Sequence, residues 1–311
     1  MSEPALDPNL TTQQLMAIDY RYNYSEKELL ADWVKLKKTT EFKKGSQFKP
    51  GMKLCQHFFP NFWNIKSGKG ISFADCWQDK VLMDDVLQWG KTGMSQLWLS
   101  WIRRAVFMRA GLPNSSFYRP HFSRQIILQT NKEEGLLFDP CAGWGGRMLG
   151  TVSAGWHYVA CEPNVETYNN LRTLIDFLGI DSYVTLHNIP AEEFDYKSLE
   201  GKVDIVLTSP PYFNLEVYTD STNQSYHKHN TYDAWVNNWL EPLITNCVHM
   251  LKNDGLSCWN AMNFNNCKMA TDVIDIHNKL NYNIKYTLGF QSPIANIRTV
   301  KNKDLTYVFA K

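Results

Sequence analysis

The chain has 311 residues, a hydrophobic fraction of 44% and a formal net charge of +1, which are ordinary values for a globular protein. No apolar run approaches the roughly 18 residues of a transmembrane helix, and the polar N-terminus lacks the order of a secretory signal, so we expect a cytoplasmic protein without a membrane partner. The seven cysteines include no Cys-x-x-Cys pair, which argues against a disulfide scaffold and a structural zinc site.

The N-terminal part of the chain is basic. Residues 1–125 carry 18 Lys and Arg against 11 Asp and Glu, whereas the remainder carries 14 against 20. A capping box of Ser25 and Glu28 predicts a helix from Glu26 to about Lys37, and helical spacing of apolar residues recurs over residues 81–110. We therefore expect a mainly helical, basic and aromatic-rich region over residues 1–117.

A lysine-rich stretch follows the first predicted helix, with Phe42 and Phe48 among the lysines. We interpret residues 1–117 as a nucleic-acid recognition region, in which lysines contact phosphates. A solvated basic surface without a partner explains the charge equally well. The candidates for phosphate contact are Lys37, Lys38, Lys43 and Lys44, with Lys35, Lys49 and Lys53 nearby.

From residue 118 onward, short apolar runs alternate with helical patterns, which is typical of βαβ units. The expected strands are 136–138, 158–161, 183–186, 203–207, 256–260, 284–289 and 305–309. The expected helices are 146–153, 164–178, 232–251 and 268–280. Residues 118–311 are therefore predicted to form an α/β, Rossmann-like domain with a mostly parallel sheet and an antiparallel last strand.

The first predicted strand of this domain runs into a glycine-rich turn: Asp139-Pro140-Cys141-Ala142-Gly143-Trp144-Gly145. Twenty-three residues after Asp139, the second strand ends in Glu162-Pro163, where Rossmann-like folds hold ribose hydroxyls. The spacing leaves NAD and S-adenosylmethionine open as cofactors, and a purely structural turn is the alternative. Asp139 suits a sulfonium and an ammonium group better than a pyrophosphate.

The fourth predicted strand ends in Ser209-Pro210-Pro211-Tyr212. Two consecutive prolines cannot donate to a central ladder, so the strand stops there and the chain is stiff, with carbonyl groups available. This motif, with the glycine-rich turn earlier in the chain, resembles the S-adenosylmethionine-dependent amino-methyltransferases of DNA, which modify cytosine N4 or adenine N6. The resemblance covers roughly residues 118–311. Cys141 and the bulky Trp144 depart from the family pattern.

The resemblance implies a class I methyltransferase fold, S-adenosylmethionine as cofactor and duplex DNA with a flipped base as partner. It implies that Ser209, Pro210, Pro211 and Tyr212 are catalytic, and that the glycine-rich turn, Glu162 and Pro163 bind the cofactor. By the same resemblance, Asn188 and Ala191 flank the adenine and Phe122 touches the methionine end. Serine at position 209 favours cytosine N4 over adenine N6, and such a protein works in the cytoplasm of a prokaryote or a virus-infected host.

The residue types suit this chemistry. Ser209 and the Pro210 carbonyl can accept hydrogen bonds from an exocyclic NH2 group, and Tyr212 can stack on the base. We expect no metal, because His227 and His229 lack a Cys or carboxylate to complete a ligand set. Three alternatives remain open: an RNA guanine-N2 methyltransferase, a protein-glutamine methyltransferase, and a catalytically silent nucleic-acid-binding scaffold. The oligomeric state is not readable from the sequence.

Overall fold

The computed structural model describes residues 5–40, 48–67, 70–112, 116–289 and 304–311. The α-helices within these ranges are α1 (Thr12–Met16), α2 (Glu26–Lys37), α3 (Met52–Phe58), α4 (Phe73–Gln78), α5 (Lys80–Gly93), α6 (Leu99–Ala110), α7 (Pro120–Leu128), α8 (Gly146–Ser153), α9 (Val165–Leu178), α10 (Tyr232–Trp235), α11 (Glu241–His249) and α12 (Met269–Lys279). The strands are β1 (Lys66–Ser67), β2 (Leu136–Asp139), β3 (His157–Cys161), β4 (Val184–His187), β5 (Val203–Thr208), β6 (Glu216–Val217), β7 (Leu251–Ala261), β8 (Asn283–Gly289) and β9 (Leu305–Ala310).

The main sheet has seven strands in the order β4-β3-β2-β5-β7-β9-β8. The five strands from β4 to β7 are parallel, while β9 is antiparallel to both of its neighbours. The predicted fold class, an α/β Rossmann-like sheet that is mostly parallel with an antiparallel last strand, is confirmed. Every residue of β5 is buried, as expected for a strand that is covered on both faces.

The order of the strands creates a crevice at the carboxyl ends of β2 and β5. From β2 the chain proceeds to β3 and β4 on one side of the sheet, and later to β5 and β7 on the other side. The strand order reverses at this point, and open α/β sheets bind their ligands at such a switch point. Both sequence motifs lie here, because Asp139 ends β2 and Thr208 ends β5.

The two predicted helical regions of the N-terminal part are present, whereas α1, α3 and α4 were not predicted. Helix α2 begins after Ser25, and the capping box between Ser25 and Glu28 is present. The helical pattern over residues 81–110 corresponds to two helices, α5 and α6, because the chain becomes extended at Met94 and at Trp98. None of the helices in the described ranges is long and apolar enough to cross a membrane.

The chain divides into two compact units. The smaller unit comprises Met1–Asn23, Pro60–Ser116 and Asn214–Asp220, and the larger comprises Tyr24–Phe59, Phe117–Phe213 and Ser221–Lys311. One passage between the units falls at Ser116/Phe117, next to the predicted boundary. Residues 24–59 of the predicted recognition region belong to the unit that contains the sheet. The recognition role of residues 1–117 stays a prediction.

Candidate active site

The glycine-rich loop leads from β2 into α8. Gly143 and Gly145 have φ angles of 57° and 71°, in the left-handed region that favours glycine. The loop is tied to the neighbouring strand, because the amide of Ala142 donates to the carbonyl of Cys161 over 2.9 Å. Ala142 and Pro140 are buried, and Cys141 and Gly143 are half-buried. The backbone at Gly143 is thus presented without a side chain beside the end of β3.

Glu162 follows β3 and is brought to this loop. One carboxylate oxygen accepts from the amide of Gly143 and the other from the amide of Asn164, both over 2.9 Å. The residue is 7% exposed, and burial raises the pKa of its carboxyl group to about 7. The side chain of Asn188 donates to the Glu162 carbonyl over 2.7 Å. Gly143, Glu162 and Asn188 therefore form one contiguous set, with Pro163 half-buried beside it.

Asp139 lies in a buried polar environment at the end of β2. Its side chain is completely buried, and one oxygen accepts from Arg147 Nε at 2.6 Å and from the Tyr158 hydroxyl at 2.7 Å. The other oxygen accepts from the amide of Cys141 at 3.1 Å. Both oxygens are thus bonded to protein groups and Arg147 balances their charge, while a role of Asp139 at the cofactor stays a prediction.

Arg147 also holds the loop itself. Its terminal nitrogen Nη2 donates to the carbonyl of Cys141 and, over 3.2 Å, to the carbonyl of Ala142. Sequence reasoning missed both Arg147 and Tyr158. The sequence did contain a signal for such partners, because Asp139 ends a predicted buried strand. A carboxylate that is fully buried there requires a cationic or hydrogen-bonding partner.

The Ser-Pro-Pro-Tyr turn begins where β5 ends. Phe138 of β2 pairs with Val206 of β5 in parallel, so the two strands end at the same edge of the sheet, at Asp139 and Thr208. Adjacent strands lie about 4.8 Å apart, so the turn starts next to the glycine-rich loop. Pro210 is buried, and Ser209 and Pro211 are half-buried. The structure therefore brings the two predicted motifs to one edge of the sheet.

Tyr212 is half-buried, and its hydroxyl group has a defined partner. It donates to Asp304 Oδ1 over 2.8 Å, and its ring meets that of Phe264 edge-on, with centroids 5.8 Å apart. The turn closes at Phe213, a non-glycine residue with φ of 44°. Such a conformation is costly for an aromatic residue, and strained backbone of this kind clusters at functional sites.

Two further residues were predicted to contact the cofactor. Ala191 is buried, and its carbonyl accepts from the Tyr196 hydroxyl over 2.8 Å. Phe122 is buried in α7, where its ring packs edge-on against Tyr118 and His121. The structure describes these packing contacts, and the cofactor roles of both residues stay predictions.

The predicted phosphate-binding lysines lie around the end of α2. Lys37 and Lys38 are exposed, and Lys37 Nζ lies 5.6 Å from the ring centre of Trp33. Lys43 and Lys44 lie outside the described residues. Lys53 differs from the others, since it forms an ion pair with Glu28 at 2.9 Å. Among the residues that the structure describes, no three His, Cys, Asp or Glu side chains are placed to hold a metal ion.

Comparison with protein families bears on the second half of the sheet. Residues 203–311 match the DNA methylase family. This model of N6/N4 methyltransferases covers β5, the Ser-Pro-Pro-Tyr turn and the last three strands of the sheet. The match confirms the resemblance at the Ser-Pro-Pro-Tyr turn, while the glycine-rich loop lies outside the matched residues. Together with the α/β fold, it supports methyl transfer from S-adenosylmethionine. No curated protein matches the chain.

Three of the solved structures with partial similarity to this chain bear the names of methyltransferases. A 1,6-didemethyltoxoflavin N1-methyltransferase of Burkholderia thailandensis, solved with S-adenosylhomocysteine, is 11% identical, with 62% of this chain and 77% of that chain covered and a TM-score of 0.43. An S-adenosylmethionine-dependent O-methyltransferase of Thermotoga maritima is 14% identical, with 65% and 69% covered and a TM-score of 0.42. A precorrin-6y C5,15-methyltransferase of Geobacter metallireducens is 14% identical, with 64% and 90% covered and a TM-score of 0.40.

Proposed function

We propose that this protein transfers a methyl group from S-adenosylmethionine to an exocyclic amino group of a DNA base, with cytosine N4 favoured over adenine N6. One observation carries the proposal. The Ser-Pro-Pro-Tyr turn, inside the stretch that matches the DNA methylase family, follows β5, and the glycine-rich loop that Glu162 braces follows β2, the parallel neighbour of β5. An amine-binding turn and a nucleoside-binding loop at one sheet edge are what an amino-methyltransferase requires.

The residues at the loop fit the cofactor. Each oxygen of the Glu162 carboxylate accepts one backbone N–H, which leaves lone pairs that can accept from ribose hydroxyl groups. The absence of a side chain at Gly143 permits a ligand to approach the backbone closely. When bound, S-adenosylmethionine supplies a methyl group on a sulfonium sulfur, and the loop and Glu162 hold the nucleoside.

The catalytic turn prepares the acceptor amine. The lone pair of an exocyclic NH2 group is delocalised into the base, so the free amine is a weak nucleophile. In our proposal the Ser209 hydroxyl and the Pro210 carbonyl accept hydrogen bonds from its two N–H groups, which favours a pyramidal nitrogen. With S-adenosylmethionine bound, the nitrogen would form a bond to the methyl carbon as the carbon–sulfur bond breaks, S-adenosylhomocysteine would be the leaving group, and the nitrogen would release one proton to solvent. The chain contributes mainly orientation, which can account for a large part of a rate enhancement.

Tyr212 supplies the surface for the base. A base inside a duplex cannot reach a turn at a sheet edge, so the target nucleotide leaves the stack and packs against an aromatic ring. The Tyr212 ring is suitable because its hydroxyl end is fixed by Asp304 and its ring packs nearly perpendicular to that of Phe264. The family match and the excess of basic residues in the first 125 residues support DNA as the substrate.

The decisive experiment identifies the methylated nucleoside. Purified protein is incubated with isotope-labelled S-adenosylmethionine and, separately, with genomic DNA, total tRNA and a peptide that contains glutamine. The products are digested and analysed by mass spectrometry. We expect labelled N4-methylcytosine in DNA, and N6-methyladenine would correct only the choice of base. Label in tRNA or in the peptide, or cofactor binding with no transfer to any of the three, would overturn the proposal.

A further inference from the structure

Asp304 and Asn260 meet at the hydroxyl group of Tyr212. Tyr212 donates to Asp304 Oδ1 over 2.8 Å, and Asn260 Nδ2 donates to the same oxygen over 2.6 Å. Asn260 Nδ2 also lies 3.2 Å from the Tyr212 hydroxyl oxygen. The three side chains therefore form a closed triangle of hydrogen bonds, although Tyr212 and Asp304 are 92 positions apart in the chain.

The sheet explains why these distant residues meet. Thr208 at the end of β5 is level with Trp259 of β7, so Ser209 and Asn260 are next in register. Asn260 in turn pairs with Thr306 of β9, and Asp304 immediately precedes that strand. The insertion of β9 next to β7 thus places a carboxylate beside the catalytic turn.

The amide of Asn260 is held from both sides. Its oxygen accepts from the Thr306 hydroxyl over 2.9 Å, while its nitrogen donates to Asp304. The Thr306 hydroxyl lies 3.1 Å from the hydroxyl of Tyr118. Asn260 is 9% exposed, and burial raises the pKa of Asp304 although the hydrogen bonds from Tyr212 and Asn260 lower it. A polar group in such surroundings is fixed, because losing a partner leaves a desolvated atom unpaired.

This arrangement restricts the ring of Tyr212. A tyrosine side chain has two soft torsions, and a hydrogen bond at the far end of the ring constrains both. The edge-on contact with Phe264 limits the tilt of the ring plane. A flat surface that is held in one orientation before the base arrives loses less conformational freedom when the base stacks on it.

We propose that Asp304 and Asn260 are positioning residues, which orient the Tyr212 ring as the platform for the flipped base. This inference rests on the proposed function. Asp304 and Asn260 act through the tyrosine hydroxyl, and neither is a catalytic residue.

A double-mutant cycle between Asp304 and Tyr212 tests the inference. Asp304→Ala in the otherwise unchanged protein is expected to lower kcat about tenfold, the effect of one hydrogen bond to a charged group. In a Tyr212→Phe background the same substitution is expected to change kcat less than about twofold, because the hydroxyl is already absent. The dissociation constant of S-adenosylmethionine is expected to stay unchanged. Equal losses in both backgrounds, or a loss that appears in cofactor binding, would overturn the inference.

Two additions keep the experiment informative. Asp304→Asn retains an acceptor oxygen and is expected to recover part of the lost kcat, so it serves where Asp304→Ala does not fold. Asp195→Ala, which removes an exposed carboxylate of the same unit, is the matched control and is expected to leave kcat unchanged.

The same double-mutant cycle between Asp304 and Tyr212 can be measured by thermal unfolding, which does not depend on catalysis. We expect Asp304→Ala to lower Tm in the wild-type background more than in the Tyr212→Phe background. If the wild-type protein methylates no amino group, the proposed function fails, whereas the unfolding cycle still shows whether the two side chains are coupled. Additive shifts in Tm would show that the contact is not formed.

Discussion

The carboxylate of Asp139 lies 2.6 Å from Nε of Arg147, and both side chains are almost completely removed from solvent. Asp139 ends β2 and Arg147 lies in the first turn of α8, so this ion pair spans the glycine-rich loop. Because Arg147 also donates to the loop carbonyls of Cys141 and Ala142, one side chain connects both ends of the loop with its middle. We infer that the loop shape is set from inside the protein and does not depend on a ligand.

Arg147→Met is therefore expected to lower the free energy of unfolding by about 3–5 kcal/mol, because it leaves the buried Asp139 carboxylate without its cation. Denaturant unfolding followed by circular dichroism measures this loss. The control is Arg172→Met, which removes an exposed ion pair with Asp181 and is expected to cost less than about 1 kcal/mol. Similar losses for the two variants would contradict a bracing role for Arg147.

Glu162 makes cofactor affinity depend on pH. Burial raises its pKa to about 7, so the carboxylate that accepts from Gly143, and that we propose accepts from ribose hydroxyls, is the main form only above that pH. As the pH falls from 8 to 6, calorimetry is expected to show progressively weaker binding of S-adenosylmethionine, approaching tenfold per pH unit below the pKa. Glu162→Gln is expected to bind more weakly at pH 8 with little dependence on pH. An equal slope in this variant would assign the effect to another group.

The same raised pKa acts on stability with the opposite sign. Between the ordinary pKa of 4.5 and about 7, the folded protein holds a proton on Glu162 that the unfolded chain has released. The stabilising contribution is therefore fully present below pH 4.5 and is lost as the pH rises through 7. In unfolding experiments from pH 5 to 8, Glu162→Gln is expected to lose less stability than the wild type. A steeper loss in the variant would contradict the raised pKa.

Loss of the Ser209 hydroxyl or of the Tyr212 ring is expected to slow methyl transfer strongly without affecting cofactor binding. Ser209→Ala removes an acceptor for the amine, and Tyr212→Ala removes the stacking surface. Each is expected to lower kcat at least about a hundredfold, the usual scale for a key polar or positioning group. Ser182→Ala, at an exposed position of the same unit, provides the control. Wild-type kcat in either variant would exclude the mechanism that we propose.

The strands and the two motifs could be predicted from the sequence because their signals are local. Alternation of short apolar runs and helical patterns fixed β2 to β5, and glycines or prolines marked each turn. The two helices within residues 81–110 could not be separated, since the apolar spacing continues across the break at Met94. The contacts of Tyr212 with Asp304, and of Asp139 with Arg147, depend on strand order and on burial, which local patterns do not specify.

The compact unit to which residues 24–59 belong could not be predicted from the sequence either. The sequence patterns place them in the region of residues 1–117, and in the structure they belong to the same compact unit as the sheet. Two contacts secure them. Arg124 in α7 donates to the carbonyl of Lys37 over 2.6 Å and to that of Thr39 over 2.7 Å. The lysines of residues 24–59 indicated a nucleic-acid partner. The burial of Leu36 and Leu54 determines where these residues pack.

The lysines at the end of α2 provide the last prediction. Lys37 and Lys38 are exposed, whereas Lys53 is already paired with Glu28, so of these three lysines phosphates are expected to engage Lys37 and Lys38. For each phosphate contact, log K for duplex DNA falls with log salt concentration with a slope of about 0.9. Changing both Lys37 and Lys38 to Gln is expected to reduce this slope by about 1.8 in fluorescence anisotropy titrations at several salt concentrations. Lys53→Gln, the matched control, is expected to leave the slope unchanged. If Lys53→Gln alters the slope as much as the double variant, the DNA path lies elsewhere on this unit.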